Sequence, residues 1–245
     1  MNLYSHSVFR QLVSRAVRTD YLENLTGFAW LILQPLILLA VYAFVFTTIF
    51  KARIPDAGSG GFVPYLAVAF WPWTAFSEAV LRSSNSISSN AALIGKVSFP
   101  SELLPLSTVT ATFLMHLGAP IHWLGVIAAI PVLLLLYLFA CGLGFFISAL
   151  QVFIRDVSQI LPPLMTFWFF TTPILYSVSI LPGGFSTLMK FNPMTWFVQR
   201  LRDFILFGDY GLSLDDLAVP VLTVFVFWIS LAFFRRFSPH FEDFF

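Results

Sequence analysis

The chain has 245 residues and a formal net charge of +1, and 58% of its residues are hydrophobic while only 10% are charged. Because a soluble domain carries about 25% charged residues, this composition excludes a soluble globular protein and indicates an integral membrane protein. The balanced charge gives no support to a nucleic-acid partner, and the one cysteine, Cys141, excludes a disulfide framework.

An amphipathic helix is the first predicted element, over residues 3–23. One face of this helix would carry the apolar side chains of Val8, Phe9, Leu12, Val13, Ala16 and Val17. The opposite face would carry polar residues together with the cations Arg10, Arg15 and Arg18. This partition is typical of a helix that lies in a membrane interface beside anionic lipid. A cleavable signal peptide is not predicted, because no apolar stretch precedes a small-residue cleavage site.

Six segments are long and apolar enough to cross a membrane, which takes about 20 residues. They cover approximately 28–50, 62–82, 103–119, 127–151, 158–178 and 216–235. The 52 residues from Leu103 to Ile154 contain no charged side chain. As helix they would extend about 78 Å, which fits two crossings and a turn. The predicted fold is therefore an all-α membrane protein, with a single six-span transmembrane domain over residues 1–245.

The orientation follows from the distribution of basic residues. Six crossings place both termini on the same side of the membrane. If that side is the cytoplasm, the inner stretches carry eight Lys and Arg residues and the outer stretches carry five. Because Lys and Arg are enriched in cytoplasmic loops, we expect a multi-pass protein of the cytoplasmic membrane with both termini inside.

The stretch 179–215 interrupts the pattern of spans on the predicted outer side. A Leu-Pro-Gly-Gly turn at 181–184 is followed by Asn192, a favourable N-cap, and by Pro193 at the first helical position. Apolar residues then recur on one helical face, but Arg200 and Arg202 break the pattern of a span. We predict a re-entrant or interfacial helical hairpin over 181–207, with an amphipathic surface loop as the alternative.

Two inner stretches, 83–102 and 153–157, have the polarity to dock a cytoplasmic partner, although ordinary loop chemistry also accounts for them. Within the second predicted span, Glu78 and Arg82 stand four residues apart on one helix face. This pair is either a local ion pair or a functional ionisable site in the membrane, and the sequence leaves both interpretations open.

Catalytic motifs are missing from the sequence. It has no H-E-x-x-H, C-x-x-C or G-x-S-x-G pattern, and its four histidines do not have metal-ligand spacing. A Walker A phosphate-binding loop is also missing, because Val97 follows Gly95 and Lys96 where a hydroxyl residue is required. We therefore predict no enzyme, and any ATP hydrolysis would occur on another chain.

Short motifs occur in order along the whole chain. They are Arg18…Tyr21…Asn24-Leu25…Gly27…Trp30…Pro35, Phe70-Trp71-Pro72-Trp73…Phe76, Asn90-Ala91-Ala92-Leu93-Ile94…Lys96…Phe99-Pro100…Leu104-Pro105, Phe153…Arg155-Asp156 and Asn192-Pro193…Arg202. In this order and spacing, the sequence resembles the membrane subunit of polysaccharide-exporting ABC transporters, the type 2 exporters of O-antigen, teichoic acid or capsular chains. The resemblance covers essentially all 245 residues.

The resemblance implies a channel-forming permease for a lipid-linked polysaccharide. It implies a homodimer of this chain in contact with membrane lipids and with two cytoplasmic ATPase subunits. ATP and magnesium would be held by the ATPase, so no cofactor is expected in this chain. The positions that match the family's coupling region and second inner turn are Asn90, Leu93, Lys96, Phe99, Arg155 and Asp156.

The resemblance also implies an outer gate and an aromatic-lined channel. The candidate gate residues are Pro182, Asn192, Pro193, Trp196 and Arg202. The candidate channel residues are Trp168, Phe169, Phe170, Tyr176, Trp30 and Tyr42. Ring faces can stack on the apolar faces of sugars, and a sliding polymer needs weak and repeated contacts. Taken singly, Trp30 is better explained as an anchor at the membrane interface.

Three alternative functions would each be accompanied by a different sequence feature. A drug or small-lipid ABC exporter of the same fold often carries a large outer domain, whereas the outer inserts here are short. A membrane-embedded transferase would need clustered His, Asp or Glu at the membrane boundary. An ion channel would need a selectivity loop or a ring of charges.

Overall fold

The computed structural model describes residues 3–18, 27–51, 61–94, 99–116 and 123–244. Within these ranges every regular element is helical, which confirms the predicted all-α class. The helices are α1 (Leu3–Val17), α2 (Gly27–Phe44), α3 (Phe62–Ser84), α4 (Ala91–Ile94), α5 (Leu103–His116), α6 (Trp123–Phe153), α7 (Val157–Thr171), α8 (Gly183–Met189), α9 (Pro193–Arg202) and α10 (Asp215–Phe237). Short helical turns add Val45–Ile49, Ser88–Asn90, Val178–Ile180, Asp203–Phe207 and Ser238–Phe244.

Two of the described stretches, Ile127–Phe153 and Asp215–Phe244, are long and apolar enough to cross a membrane. Leu33–Ile49 and Leu103–His116 are shorter apolar helices. These elements fit an α-helical membrane protein, while the number of six crossings stays a prediction. Below, the inner end is the end of the bundle where α3, α6 and α10 finish, and the outer end is the opposite one.

The fifth predicted span is shorter as a helix than its apolar stretch. The pattern predicts 158–178, whereas α7 ends at Thr171. Thr172 is extended, with φ −96° and ψ 136°, and it directly precedes Pro173. A proline ring disfavours the helical conformation of the residue before it, so the helix stops there. Tyr176 therefore lies in the non-helical segment after α7.

α6 is the central helix and packs against α3, α5 and α10. Two glycines allow its backbone to approach its neighbours closely. A Cβ atom at Gly142 would lie 3.0 Å from the Cα of Phe227 on α10, and one at Gly144 would lie 2.6 Å from Ser83 Oγ on α3. Small residues at such crossings are the usual means by which membrane helices pack tightly.

α1 packs along α5 at the inner end of the bundle. Its predicted faces are confirmed: the six apolar side chains from Val8 to Val17 are half-buried, whereas Arg10, Arg15 and Arg18 are exposed. The helix ends at Val17, and residues 19–23 of the predicted segment lie outside the described residues.

Candidate functional site

Aromatic rings form a continuous cluster that joins α2, α3, α6, α7 and α9. Neighbouring ring centroids lie 5.5–6.3 Å apart, in stacked, tilted and edge-to-face pairs. The members are Tyr42, Phe70, Trp73, Phe76, Phe139, Trp168, Phe169 and Phe197. Each pair contributes about 0.5–1.5 kcal/mol beyond the burial of its area. The cluster is therefore a structural core that holds α7 and α9 onto the bundle.

The four consecutive aromatic residues of α7 divide between two faces. Phe169 is only 6% exposed and belongs to the core, and Trp168 is half-buried beside it. Phe170 is 52% exposed and Phe167 is 66% exposed, on the opposite side of the helix. Three rings of α7 are predicted to line a channel. Phe170 is the most exposed of them and can therefore contact another molecule.

The other three channel candidates are Tyr42, Tyr176 and Trp30, and none of them is shown to be exposed. Tyr42 and Tyr176 are half-buried, and the Tyr176 hydroxyl donates to the Phe170 carbonyl at 3.1 Å. The side chain of Trp30 lies outside the described residues.

At the outer end, Asn192 joins α9 to the end of α7. Its Oδ1 caps α9 by accepting from the Met194 N–H at 3.1 Å, and it also accepts from Trp168 Nε1 at 2.9 Å. Its Nδ2 donates to Thr172 Oγ1 at 3.0 Å. Pro193 follows at the first position of the helix, as predicted. One amide side chain thereby sets where α9 begins and how it sits against α7.

Arg202, at the end of α9, is a buried cation with 2% exposure. Its guanidinium donates to three backbone carbonyls, those of Tyr65 at 3.1 Å, Pro173 at 2.7 Å and Ile174 at 2.8 Å. It also lies over the Tyr65 ring, 3.4 Å from the centroid. Burial lowers the pKa of Arg202 to about 10, which still leaves it charged at neutral pH. Arg202 therefore ties α9 to the outer ends of α3 and α7.

Asp216, at the start of α10, collects a second set of outer contacts. Its Oδ1 accepts from Trp196 Nε1 at 3.0 Å and from Arg200 Nε at 2.9 Å. Its Oδ2 accepts from the Ser213 hydroxyl at 2.9 Å. A carboxylate in the first turn of a helix is also favoured by the helix dipole. Sequence reasoning missed Asp216, although the spacing of Ser213 and Asp216 before an apolar run is a capping signal.

α8 contrasts with α9, because it presents apolar side chains to the outside. Pro182 stands just before α8 and is exposed. Phe185 and Leu188 are also exposed, and Phe191, just beyond the helix, is 81% exposed. Residues 181–207 thus contain an exposed helix and an anchored one, while their arrangement as a re-entrant hairpin stays a prediction.

At the inner end, the predicted coupling residues occupy short and accessible elements. Asn90 closes the turn before α4, and its Nδ2 donates to the Ser86 carbonyl at 2.9 Å. Leu93 on α4 and Phe99 are half-buried. Lys96 lies outside the described residues.

Arg155 and Asp156 are exposed in the turn between α6 and α7. Gln151 holds this turn in place: its Nε2 donates to the Arg155 carbonyl at 3.0 Å, and its Oε1 accepts from the Ser158 N–H at 2.8 Å. Gln151 had no predicted role, although its polar amide at the end of an otherwise apolar run could have indicated one.

Both predicted coupling stretches contact the C-terminal part of the chain, the first through the end of α10 and the second through the turn Ser238–Phe244. Arg235 forms an ion pair with Glu102 at 3.1 Å, which links the end of α10 to the first stretch. The Phe153 ring contacts those of Phe241 at 6.0 Å and Phe244 at 4.8 Å, which links the same turn to the second stretch. The structure therefore gathers these elements into one inner face.

The Glu78–Arg82 pair is formed in the structure, with 2.7 Å between Oε1 and Nε. His116 Nε2 lies 3.4 Å from the second oxygen of Glu78, and His116 Nδ1 is 2.9 Å from the Thr112 carbonyl. The structure therefore confirms that Glu78 and Arg82 form an ion pair, which is one of the two interpretations that the sequence leaves open. No metal-binding cluster of His, Cys, Asp or Glu occurs within the described ranges.

Comparison with known proteins identifies the family. The chain is 28% identical to the O-antigen export system permease protein RfbA of Myxococcus xanthus, over 95% of this chain and 93% of the relative. It is 26% identical to an RfbA protein of Klebsiella pneumoniae, over 95% and 92%. It is 24% identical to the polysialic acid transport protein KpsM of Escherichia coli, over 91% of each chain. Residues 7–206 match the ABC-2 type transporter family, to which this chain therefore belongs.

Proposed function

We propose that this chain is the permease subunit of an ATP-driven exporter that carries a lipid-linked polysaccharide of the O-antigen type across the cytoplasmic membrane. The observation that carries the proposal is the likeness to O-antigen and polysialic acid permeases, which extends over more than nine-tenths of the chain. A match of this extent involves the same arrangement of segments and not a single shared motif. The chain would act as a transport subunit and leave ATP hydrolysis to its partner.

Two copies of the chain would enclose the channel. The exposed face of α7, with Phe167 and Phe170, supports this arrangement, as does the exposed apolar face of α2 with Val41 and Phe44. α2 and α7 are neighbours, because Tyr42 stacks on Phe169 with 5.7 Å between ring centroids. Together they form one surface of rings and aliphatic side chains that could contact both a second copy and a sugar polymer.

Two ATPase subunits would bind the inner face. Arg155 and Asp156 offer an exposed cation and anion in a turn that Gln151 fixes, while Asn90 and Leu93 lie on the first coupling stretch. Because this turn is already ordered, a movement of the ATPase could displace it without the free-energy cost of first ordering a loop. Both termini would then be cytoplasmic, as the distribution of basic residues predicts.

The outer hairpin would gate the channel. α9 is anchored by Arg202 and Asn192, whereas α8 is exposed and carries Phe185 and Leu188. We therefore expect α8 to be the part that moves, with α9 as its fixed base. Deletion of residues 181–207 should alter ion leak or polymer export, and unchanged behaviour in both would contradict the assignment.

The proposed function is tested by removing the gene from its source organism and measuring polysaccharide at the cell surface. We expect loss of surface polymer with accumulation of lipid-linked polymer inside the cell, and recovery of both when the gene is restored. Normal surface polymer together with altered resistance to small hydrophobic compounds would instead indicate a drug or small-lipid exporter.

A further inference from the structure

The C-terminal turn Ser238–Phe244 is attached to the bundle by one buried side chain. α10 ends at Phe237, and Pro239 lacks the N–H group that would continue the helix. Among the seven described residues after α10, Phe241 is the one that is buried, with 0% exposure. The last residues of a chain are usually poorly ordered unless a contact holds them. The Phe241 ring supplies that contact here.

The rings of this region surround Phe153, the last residue of α6. Its ring centroid lies 5.6 Å from that of Phe237, 6.0 Å from that of Phe241 and 4.8 Å from that of Phe244. Phe234 on α10 completes the cluster, with 5.3 Å between its ring and that of Phe241. The end of α6 is therefore joined to the end of α10 through the C-terminal turn.

Two kinds of contact hold the turn between α6 and α7. The Gln151 amide bonds to the Arg155 carbonyl and to the Ser158 N–H, so it fixes the internal shape of the turn. These bonds join residues close together in the chain, and they do not fix where the turn stands on the inner face. The rings around Phe153 do so, because Phe153 stands two residues before Arg155 and contacts the end of α10 and the C-terminal turn.

We propose that the C-terminal turn positions the turn between α6 and α7 for contact with the ATPase, with Phe241 as the positioning residue. This inference rests on the proposed function, in which Arg155 and Asp156 meet the ATPase. A turn that is held in place beforehand loses little conformational freedom on binding, whereas a loose turn has to be ordered at that moment. Phe241 is buried, so it acts through Phe153 and leaves the charges that meet the ATPase unaltered.

The first measurement follows the turn itself, in the purified full-length chain in nanodiscs without the ATPase. Ile154 is 49% exposed in this turn, so Ile154→Cys can carry a nitroxide label, whereas Cys141 is buried. We expect Phe241→Ala to increase the mobility of the label, as recorded by electron paramagnetic resonance. Phe145→Ala is the matched control, because it removes an almost equally buried ring between α6 and α10 at a distance from the turn. Its label should be as mobile as that of the parent.

The second measurement adds the partner ATPase and records its stimulation by the permease as the concentration is raised. We expect Phe241→Ala to raise the concentration for half-maximal stimulation about tenfold, which is the size of effect expected when about one residue has to be ordered on binding. The maximal stimulation should be retained. Phe145→Ala should lower only the yield of folded permease. Phe241→Leu keeps most of the apolar volume, so it should lie between parent and alanine variant in both measurements, and it replaces the alanine variant if that variant does not fold.

Unchanged label mobility in Phe241→Ala, or an equal increase in Phe145→Ala, would overturn the inference, because the ring would then contribute only general stability. Increased mobility with an unchanged half-maximal concentration would also overturn it, since the ATPase would not require a fixed turn. A complete lack of stimulation by the unaltered permease would instead contradict the proposed function, and the label mobility would still decide whether Phe241 holds the turn.

Discussion

At the outer end of the molecule, the charged side chains that hold α9 are bound within the chain, whereas the turn between α6 and α7 at the inner end leaves its two charged side chains exposed. Arg202 is 2% exposed and donates to three carbonyls, and Asp216 accepts from Trp196, Arg200 and Ser213. Arg155 and Asp156, at the inner end, are exposed. The outer network fixes the position of α9 in the absence of a partner. The inner charges are positioned by Gln151 and remain available to another protein.

The comparison distinguishes residues that hold the permease together from residues that, in the proposed function, would connect it to its ATPase. Changes at the outer anchors should first lower stability, and any loss of transport would follow from that. Changes at the inner charges should lower coupling to the ATPase while the permease itself stays folded.

The largest effect is expected for Arg202→Met. This change removes three hydrogen bonds from a charged donor, each worth about 1.5–3 kcal/mol, and leaves buried carbonyls unsatisfied. We expect a marked fall in the thermal unfolding temperature of the purified chain. Arg155→Met is the control for loss of an exposed arginine and should be close to the parent. Equal stability of the two variants would contradict the anchoring role of Arg202.

A smaller loss of stability is expected for Asn192→Ala, about 1–2 kcal/mol, because α9 loses its N-cap. The change also removes the acceptor of the Trp168 indole N–H, so tryptophan fluorescence should shift as well. Asn192→Asp keeps the acceptor and should preserve most of the cap. If alanine and aspartate variants unfold alike, the cap is not what holds α9.

Reversal of the inner charges should hardly change stability. Arg155→Glu with Asp156→Lys alters only exposed groups, for which changes within about 0.5 kcal/mol are usual. We expect the variant to unfold like the parent but to lose stimulation of the partner ATPase and most polymer export. Normal stimulation would show that this turn does not contact the ATPase.

A small structural effect is also expected for Phe170→Ala, because its ring is half exposed. Polymer export should fall although the chain stays folded. Phe169→Ala, its matched partner in the aromatic core, should instead lose stability by about 3 kcal/mol or more. Equal loss of stability in both variants would argue against two distinct faces of α7.

Many of the helix positions and faces can be predicted from the sequence, because they depend on local patterns of residues. The faces of α1 follow from helical periodicity, and the start of α9 follows from the Asn192–Pro193 cap. The end of α7 was missed by seven residues of apolar sequence, since hydropathy continues past Thr171 while Pro173 ends the helix. Apolarity and helicity are separate properties, and hydropathy reports only the first.

Contacts between distant parts of the chain could not be predicted in the same way. Arg202 appeared as a charge that breaks a span, but its carbonyl partners lie 28, 29 and 137 residues away. The core position of Phe169 and the outward position of Phe170 depend on which side of α7 faces α3. A single sequence shows that rings are present, and only the packing shows which of them are buried.

In the proposed function, this chain forms the path of a polysaccharide whose movement is driven by a partner ATPase. The most direct measurement places the purified permease and its ATPase in sealed vesicles and adds lipid-linked polysaccharide with ATP on the ATPase side. We predict that polymer becomes protected from an added glycosidase as ATP is consumed, and that Arg155→Glu with Asp156→Lys abolishes this protection. Protection that is independent of ATP, or polymer that stays accessible while ATP is hydrolysed, would show that this chain is not an ATP-driven polysaccharide permease.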